Sequence, residues 1–186
     1  MRSEVYNMDC MEYMKGLPDK YFTLAIADPP YGINAPNMRM GENHGYLSTA
    51  KKCKKGRLNS GAGKLKDRAL QLMPCDWDFE QPSQEFFDEL ERVSKNRIIW
   101  GGNYFNLPPT RCVVCWDKEQ PWENFSQIEM AWTSFDMPAK LYRKGVSGGN
   151  INDMRNMPKI HPTQKPVDLY AYLLSKFITD EGGGNF

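Results

Sequence analysis

Apolar residues fall along this chain in two rhythms. Thr23-Leu24-Ala25-Ile26-Ala27 is a continuous run of small and branched residues, the pattern of a strand buried on both faces of a parallel sheet. Arg97–Trp100, Arg111–Trp116 and Ile128–Thr133 predict three further strands. Helical periods lie between them. One helix is expected over Cys10–Gly16, capped by Asp9. A second starts at Ser83, with Phe86, Phe87, Leu90 and Val93 along one face. A third opens at Pro166, in the first-turn position proline prefers, and runs to Phe177 with Val167, Tyr170, Leu174 and Phe177 keeping the period. Residues 33 to 82 are polar and irregular, and residues 134 to 160 read as loop. Strand alternating with helix predicts an α/β domain with a mainly parallel sheet.

Composition narrows this picture. At 186 residues a single domain is expected, and 40% apolar with 12% aromatic content is enough for a core. No stretch approaches the roughly 18 apolar residues of a membrane span. Met1-Arg2-Ser3-Glu4 lacks the apolar centre of a signal peptide. Five scattered cysteines suit a reducing cytoplasm better than a disulfide scaffold. Net charge is +1, so no global basic field marks a nucleic-acid binder. The basic charge is local instead. Lys51, Lys52, Lys54, Lys55, Arg57, Lys64, Lys66 and Arg68 crowd one stretch, opposed by Asp67 alone. Such a loop can grip phosphates without reading sequence, or can be a solvated insert.

The candidate chemistry lies at the end of the first strand, in Asp28-Pro29-Pro30-Tyr31-Gly32. Two prolines stop a ladder because neither has an N–H to give. A carboxylate, a rigid carbonyl and an aromatic ring therefore gather at the carboxyl end of a central strand, where ligands of open α/β sheets bind. Asp28 and the Pro29 carbonyl suit the two N–H groups of an exocyclic amine, whose lone pair is otherwise delocalised into its ring. Tyr31 suits stacking on a base, a contact worth about 1–3 kcal/mol. This reading requires Asp28 and Tyr31 to face a common hollow. Turn chemistry alone also accounts for Asp, Pro and Gly here.

This segment resembles the catalytic motif of the S-adenosylmethionine-dependent amino-DNA methyltransferases. Tyr6-Asn7-Met8-Asp9-Cys10 through Leu17-Pro18-Asp19 resembles the helix-opening segment of that family, many of whose members have Gly at the Met8 position. Ile99-Trp100-Gly101-Gly102-Asn103 and Trp116-Asp117-Lys118 resemble its next strand ends. His161-Pro162-Thr163-Gln164-Lys165-Pro166 resembles its cofactor-side motif, and its place after the catalytic motif matches the β-type order. The resemblance implies a Rossmann-like fold and methylation of a base flipped out of double-stranded DNA, adenine N6 before cytosine N4 because the motif begins with Asp. It implies S-adenosylmethionine as cofactor and no metal. It assigns Asp28, Pro29, Pro30 and Tyr31 to catalysis, and Asp9, Cys10, Asp28, His161, Thr163 and Lys165 to the cofactor. Lys51, Lys52, Lys54, Lys55, Arg57 and Lys64 would contact DNA.

The chain departs from the family at its end. Glu181-Gly182-Gly183-Gly184-Asn185-Phe186 stands where a strand and a Gly-rich cofactor loop are expected. The expectation is a partial catalytic domain spanning residues 1–186, with C-terminal strands missing, a sheet edge left open to a second chain or segment, and weak cofactor binding. A catalytically inactive DNA-binding remnant is the alternative, as is an amino group in RNA or protein as target. Several residues also have plain structural readings. Asp9 and Thr163 are ordinary helix caps, Lys165 a surface charge, and His161 a loop residue. Cys112 and Cys115 lie three apart in a strand pattern, on opposite faces, which favours buried thiols over zinc ligands.

Overall fold

The computed structural model describes residues 3–34, 77–119, 126–145 and 163–178. His161, expected at the cofactor, and Lys51, Lys52, Lys54, Lys55, Arg57 and Lys64, expected at DNA, lie outside the described residues. Helix α1 is Cys10–Lys15; strand β1, Phe22–Ala27; helix α2, Gln84–Val93; and strands β2, β3 and β4 are Ser94–Trp100, Val113–Asp117 and Ile128–Thr133. Strand β5, Lys140–Arg143, and helix α3, Val167–Phe177, complete the order. Among the described residues no helix is long and apolar enough to cross a membrane.

The strands form one open sheet in the order β1-β2-β4-β3-β5. β1 runs parallel to β2, with Ala25 beside Arg97 and Ala27 beside Ile99, and β3 runs parallel to β5. β4 is antiparallel to both β2 and β3. The sheet is therefore mixed rather than mainly parallel. β3 and β4 follow each other closely in sequence, and a short connection returns a strand antiparallel to its neighbour. Among the described residues β1 is an edge strand with β2 as its one neighbour, where a central strand was expected.

Alternation along the strands sends side chains into two cores. Ile98, Trp100, Val114, Trp116 and Ala131 pack with Leu169, Leu173 and Phe177 of α3. Ile99 points the other way, to Met14 of α1 and Phe87, Leu90 and Val93 of α2. The result is helix, sheet, helix. Burial of Leu169 and Leu173 contributes about 1.5–3 kcal/mol each. The buried stripe of α3 is Leu169, Leu173 and Phe177, whereas Val167 and Leu174 are 58% and 45% exposed. The expected face was wrong because this helix is apolar on several sides, so its period had more than one solution. Pro166 is the N-cap, one position earlier than expected.

Local chemistry sets the other boundaries. Asp9 caps α1, accepting from Met11 N at 2.7 Å and Glu12 N at 3.2 Å. Ser83 occupies the N-cap of α2, though its hydroxyl makes no capping bond. α2 runs straight into β2, and the Ser94 hydroxyl donates to the Leu90 carbonyl at the junction. β5 lies within the segment expected to be loop. Trp132 packs against the α1–α2 core, and its indole N–H donates to the Pro108 carbonyl at 2.7 Å.

Candidate active site

β1 ends at Ala27, and Asp28-Pro29-Pro30-Tyr31-Gly32 turns away from its carboxyl end. Both prolines are half-buried. The turn is held from behind by a residue the sequence reading left inside the insert. One carboxylate oxygen of Asp78 accepts from Tyr31 N at 2.6 Å and from Gly32 N at 3.0 Å. Asp78 is 2% exposed. A carboxylate that gathers successive backbone N–H groups fixes a turn firmly, since charge-assisted bonds are about twice as strong as neutral ones. Gln81 donates to the Tyr31 carbonyl at 3.2 Å. The available signal was slight: Asp76 and Asp78 follow the basic stretch, and aspartate often accepts from turn amides.

The Tyr31 ring is fixed by the next strand end. It stacks on Tyr104, centroids 5.2 Å apart, and meets the edge of Phe105 at 6.1 Å. Gly101 lies against it. A Cβ on Gly101 would come within 2.3 Å of Tyr31 Cε1, and Gly101 has φ +72°. Only glycine satisfies both conditions. Gly102 is needed for a different contact, since a Cβ there would lie 2.4 Å from Trp132 Cβ.

Lys165, from the turn before α3, reaches into this cluster. Its ammonium donates to both oxygens of Asp28 at 2.6 Å and to the Tyr31 hydroxyl at 3.1 Å. The Tyr31 hydroxyl donates to Asp28 at 2.9 Å. Glu129 of β4 lies 3.3 Å from the same ammonium and also pairs with Lys118. The indole of Trp100 lies 5.3 Å and the ring of Tyr31 5.5 Å from the charge. The Lys165 side chain is 3% exposed, against 31% for Asp28 and 24% for Glu129. Trp100 is fully buried, and its indole N–H has no partner among the described residues.

Charge in this cluster is balanced. Two carboxylates, Asp28 and Glu129, face two ammoniums, Lys165 and Lys118. Burial pushes the Glu129 carboxyl up, but the Lys165 and Lys118 ammoniums outweigh it and hold it below its ordinary value. Burial first, then the Asp28 and Glu129 charges, drive the Tyr31 phenol far above its usual range. Tyr31 is therefore a neutral donor at every physiological pH. The same causes push Tyr170 of α3 up to about 12, which makes it an electrostatic neighbour of the cluster.

Asp28 and Tyr31 come together, but the requirement that they face a common hollow is not met: the Lys165 ammonium bonds to both and fills that place. A small cavity of about 50 Å³ lies elsewhere, between α2, Ile99 and Trp132, with room for a few waters at most. Lys165, read in sequence as a partner for a cofactor carboxylate or as a surface charge, is buried and saturated by Asp28, Glu129 and Tyr31. A third carboxylate would meet two like charges there. The two carboxylates and two ring faces around this place suit a cation, and the Lys165 ammonium fills it. Asp9 spends its carboxylate on the α1 cap. Cys10 is an exposed thiol and Thr163 an exposed turn residue. Asn103 is exposed after β2, while Asp117 accepts from Glu119 N at 2.9 Å and pairs with Arg143. Cys112 is buried with its thiol toward the Pro138 carbonyl, and Cys115 is half-buried in β3.

Glu129, Trp100 and Tyr170 are the members that sequence reasoning did not place here. Glu129 had one signal, a carboxylate inside the otherwise apolar run of β4. No known protein family, curated protein or solved structure matches this chain.

Proposed function

We propose that the chain is a DNA methyltransferase domain, of Rossmann-like lineage, that acts on the exocyclic amine of a flipped base, adenine N6 in the first instance. The observation that carries this reading is the cluster at the end of β1. There a carboxylate and a neutral phenol share one small nitrogen donor, the Lys165 ammonium. An aromatic amine presents the same kind of donor to the same acceptors. S-adenosylmethionine, when bound, would supply an electrophilic methyl group on a sulfonium, and Asp28 and Tyr31 offer a charge and a ring face of the kind such a cation prefers.

The chain's own residues supply position and field. Asp28 accepts one amine N–H and the Pro29 carbonyl the other, which aims the nitrogen lone pair away from both. Tyr31, locked by Tyr104 and Gly101, offers its edge-fixed ring as a clamp. Its phenol keeps its proton and so withdraws none from the amine. Catalysis of this kind is mostly orientation and fixed electrostatics. The basic stretch from Lys51 to Lys64 would hold the DNA backbone.

The test compares two single-stranded oligodeoxynucleotides that differ only in adenine against purine, which lacks the amine. Fluorescence anisotropy of the native protein should show adenine bound about tenfold more tightly, the worth of one hydrogen bond to a charged acceptor. Asp28→Ala should erase the preference. Equal affinities in the native protein would refute an amine-reading site.

A further inference from the structure

We propose that Lys165 is a two-position latch, held on Asp28 when the site is empty of substrate and passed to Glu129 when the target amine enters. This inference rests on the amine-reading site above. Lys165 Nζ lies 2.6 Å from both oxygens of Asp28 and 3.1 Å from the Tyr31 hydroxyl, so the ammonium fills the place between them that an amine would take. An ammonium that left Asp28 and stayed in the interior with no carboxylate would be an unpaired buried charge, a costly state. Glu129 removes that cost. Its Oε2 already lies 3.3 Å from the same nitrogen. A short swing keeps the cation paired, keeps it beside the Trp100 ring, and frees Asp28.

The surroundings suit such a swing. Lys165 has four rotatable side-chain bonds and a compact charge, unlike a planar guanidinium. Glu129 also pairs with Lys118, so it holds a fixed place while Lys165 comes and goes. Tyr31, by contrast, is clamped by Tyr104 and Gly101 and stays in place. Glu129 acts through Lys165 and is a positioning residue.

The experiment uses the same adenine and purine oligonucleotides with Lys165→Met, Glu129→Gln and the double variant. Removing the latch should tighten adenine binding about tenfold, because Asp28 no longer exchanges one charge-assisted bond for another. Removing the second anchor should weaken adenine binding by a similar factor and leave purine binding unchanged, since purine makes no demand on Asp28. The double variant should match Lys165→Met alone. A merely structural bridge predicts otherwise: both single variants weaken adenine and purine alike, and that result overturns the latch while the native adenine preference still stands. No adenine preference in the native protein overturns the site and the latch together. If thermal melting shows that Lys165→Met does not fold, Glu129→Gln decides alone: selective loss of adenine binding supports the latch, and an unchanged or unselective response overturns it.

Discussion

Gly101→Ala should be among the most damaging single-methyl changes in this protein. The new Cβ would fall 2.3, 2.6 and 2.8 Å from Cε1, Cδ1 and Cζ of Tyr31, and the residue would keep φ +72°. The left-handed backbone costs about 1–2 kcal/mol for a residue with a side chain. Overpacking against a ring that cannot retreat, because Tyr104 lies behind it, adds about 1–3 kcal/mol. The sum, about 2–5 kcal/mol, is a large share of the stability of a domain this size. Two other glycines calibrate it. Gly32 has the same φ, but its Cβ would meet the flexible Gln81 side chain at 2.9 Å, so its cost should be about 1–3 kcal/mol. Gly16 has ordinary helical φ and its nearest neighbour at 3.5 Å, so Gly16→Ala should be neutral or stabilising by up to about 1 kcal/mol. Urea unfolding measures all three. In a Tyr31→Ala background the steric part vanishes, and Gly101→Ala should then cost about 1–2 kcal/mol. Equal losses in the two backgrounds, or a Gly101 effect no larger than that at Gly16, would refute the packing argument.

Other consequences follow from the same cluster. Asp78→Ala leaves the Tyr31 and Gly32 amides without their acceptor and should cost about 2–4 kcal/mol in urea unfolding, while also loosening the turn after β1. Tyr31→Phe keeps the stack on Tyr104 but loses the donation to the Asp28 carboxylate, so stability should fall by about 1.5–3 kcal/mol. Glu129 titrates below its ordinary value of 4.5 in the folded protein. Its contribution is thus fully present above that value and is lost as pH falls through the lower, folded one. Glu129→Gln should flatten the acid limb of a stability–pH curve measured by urea unfolding, and an unchanged limb would contradict the ion-pair assignment.

Much of the frame was legible because it is local. The runs Thr23–Ala27 and Ile128–Thr133 are apolar enough to announce strands, and Asp9 announces a cap. β5 was not legible: four residues, Lys140-Leu141-Tyr142-Arg143, give too short a pattern, and its charged ends suit an edge. The face of α3 was lost to a surplus of apolar residues. In the site, Asp28 and Tyr31 were visible because they share one turn. Lys165 was visible as chemistry but not as a contact, since it lies 137 positions from Asp28. Asp78 meets the turn and Glu129 meets Lys165 through the fold alone, from a loop and from β4, two strands along the sheet from β1. Their partners are backbone amides and a lysine that no short-range pattern couples to them.

The most direct test of the central claim is where a methyl group goes. Protein, duplex DNA of mixed sequence and labelled S-adenosylmethionine at high concentration, so that weak cofactor affinity does not limit transfer, are incubated together. The DNA is then digested to nucleosides. The account predicts label in N6-methyladenine with the native protein and none with Asp28→Ala; label on a ring carbon, or undiminished transfer by Asp28→Ala, would contradict it.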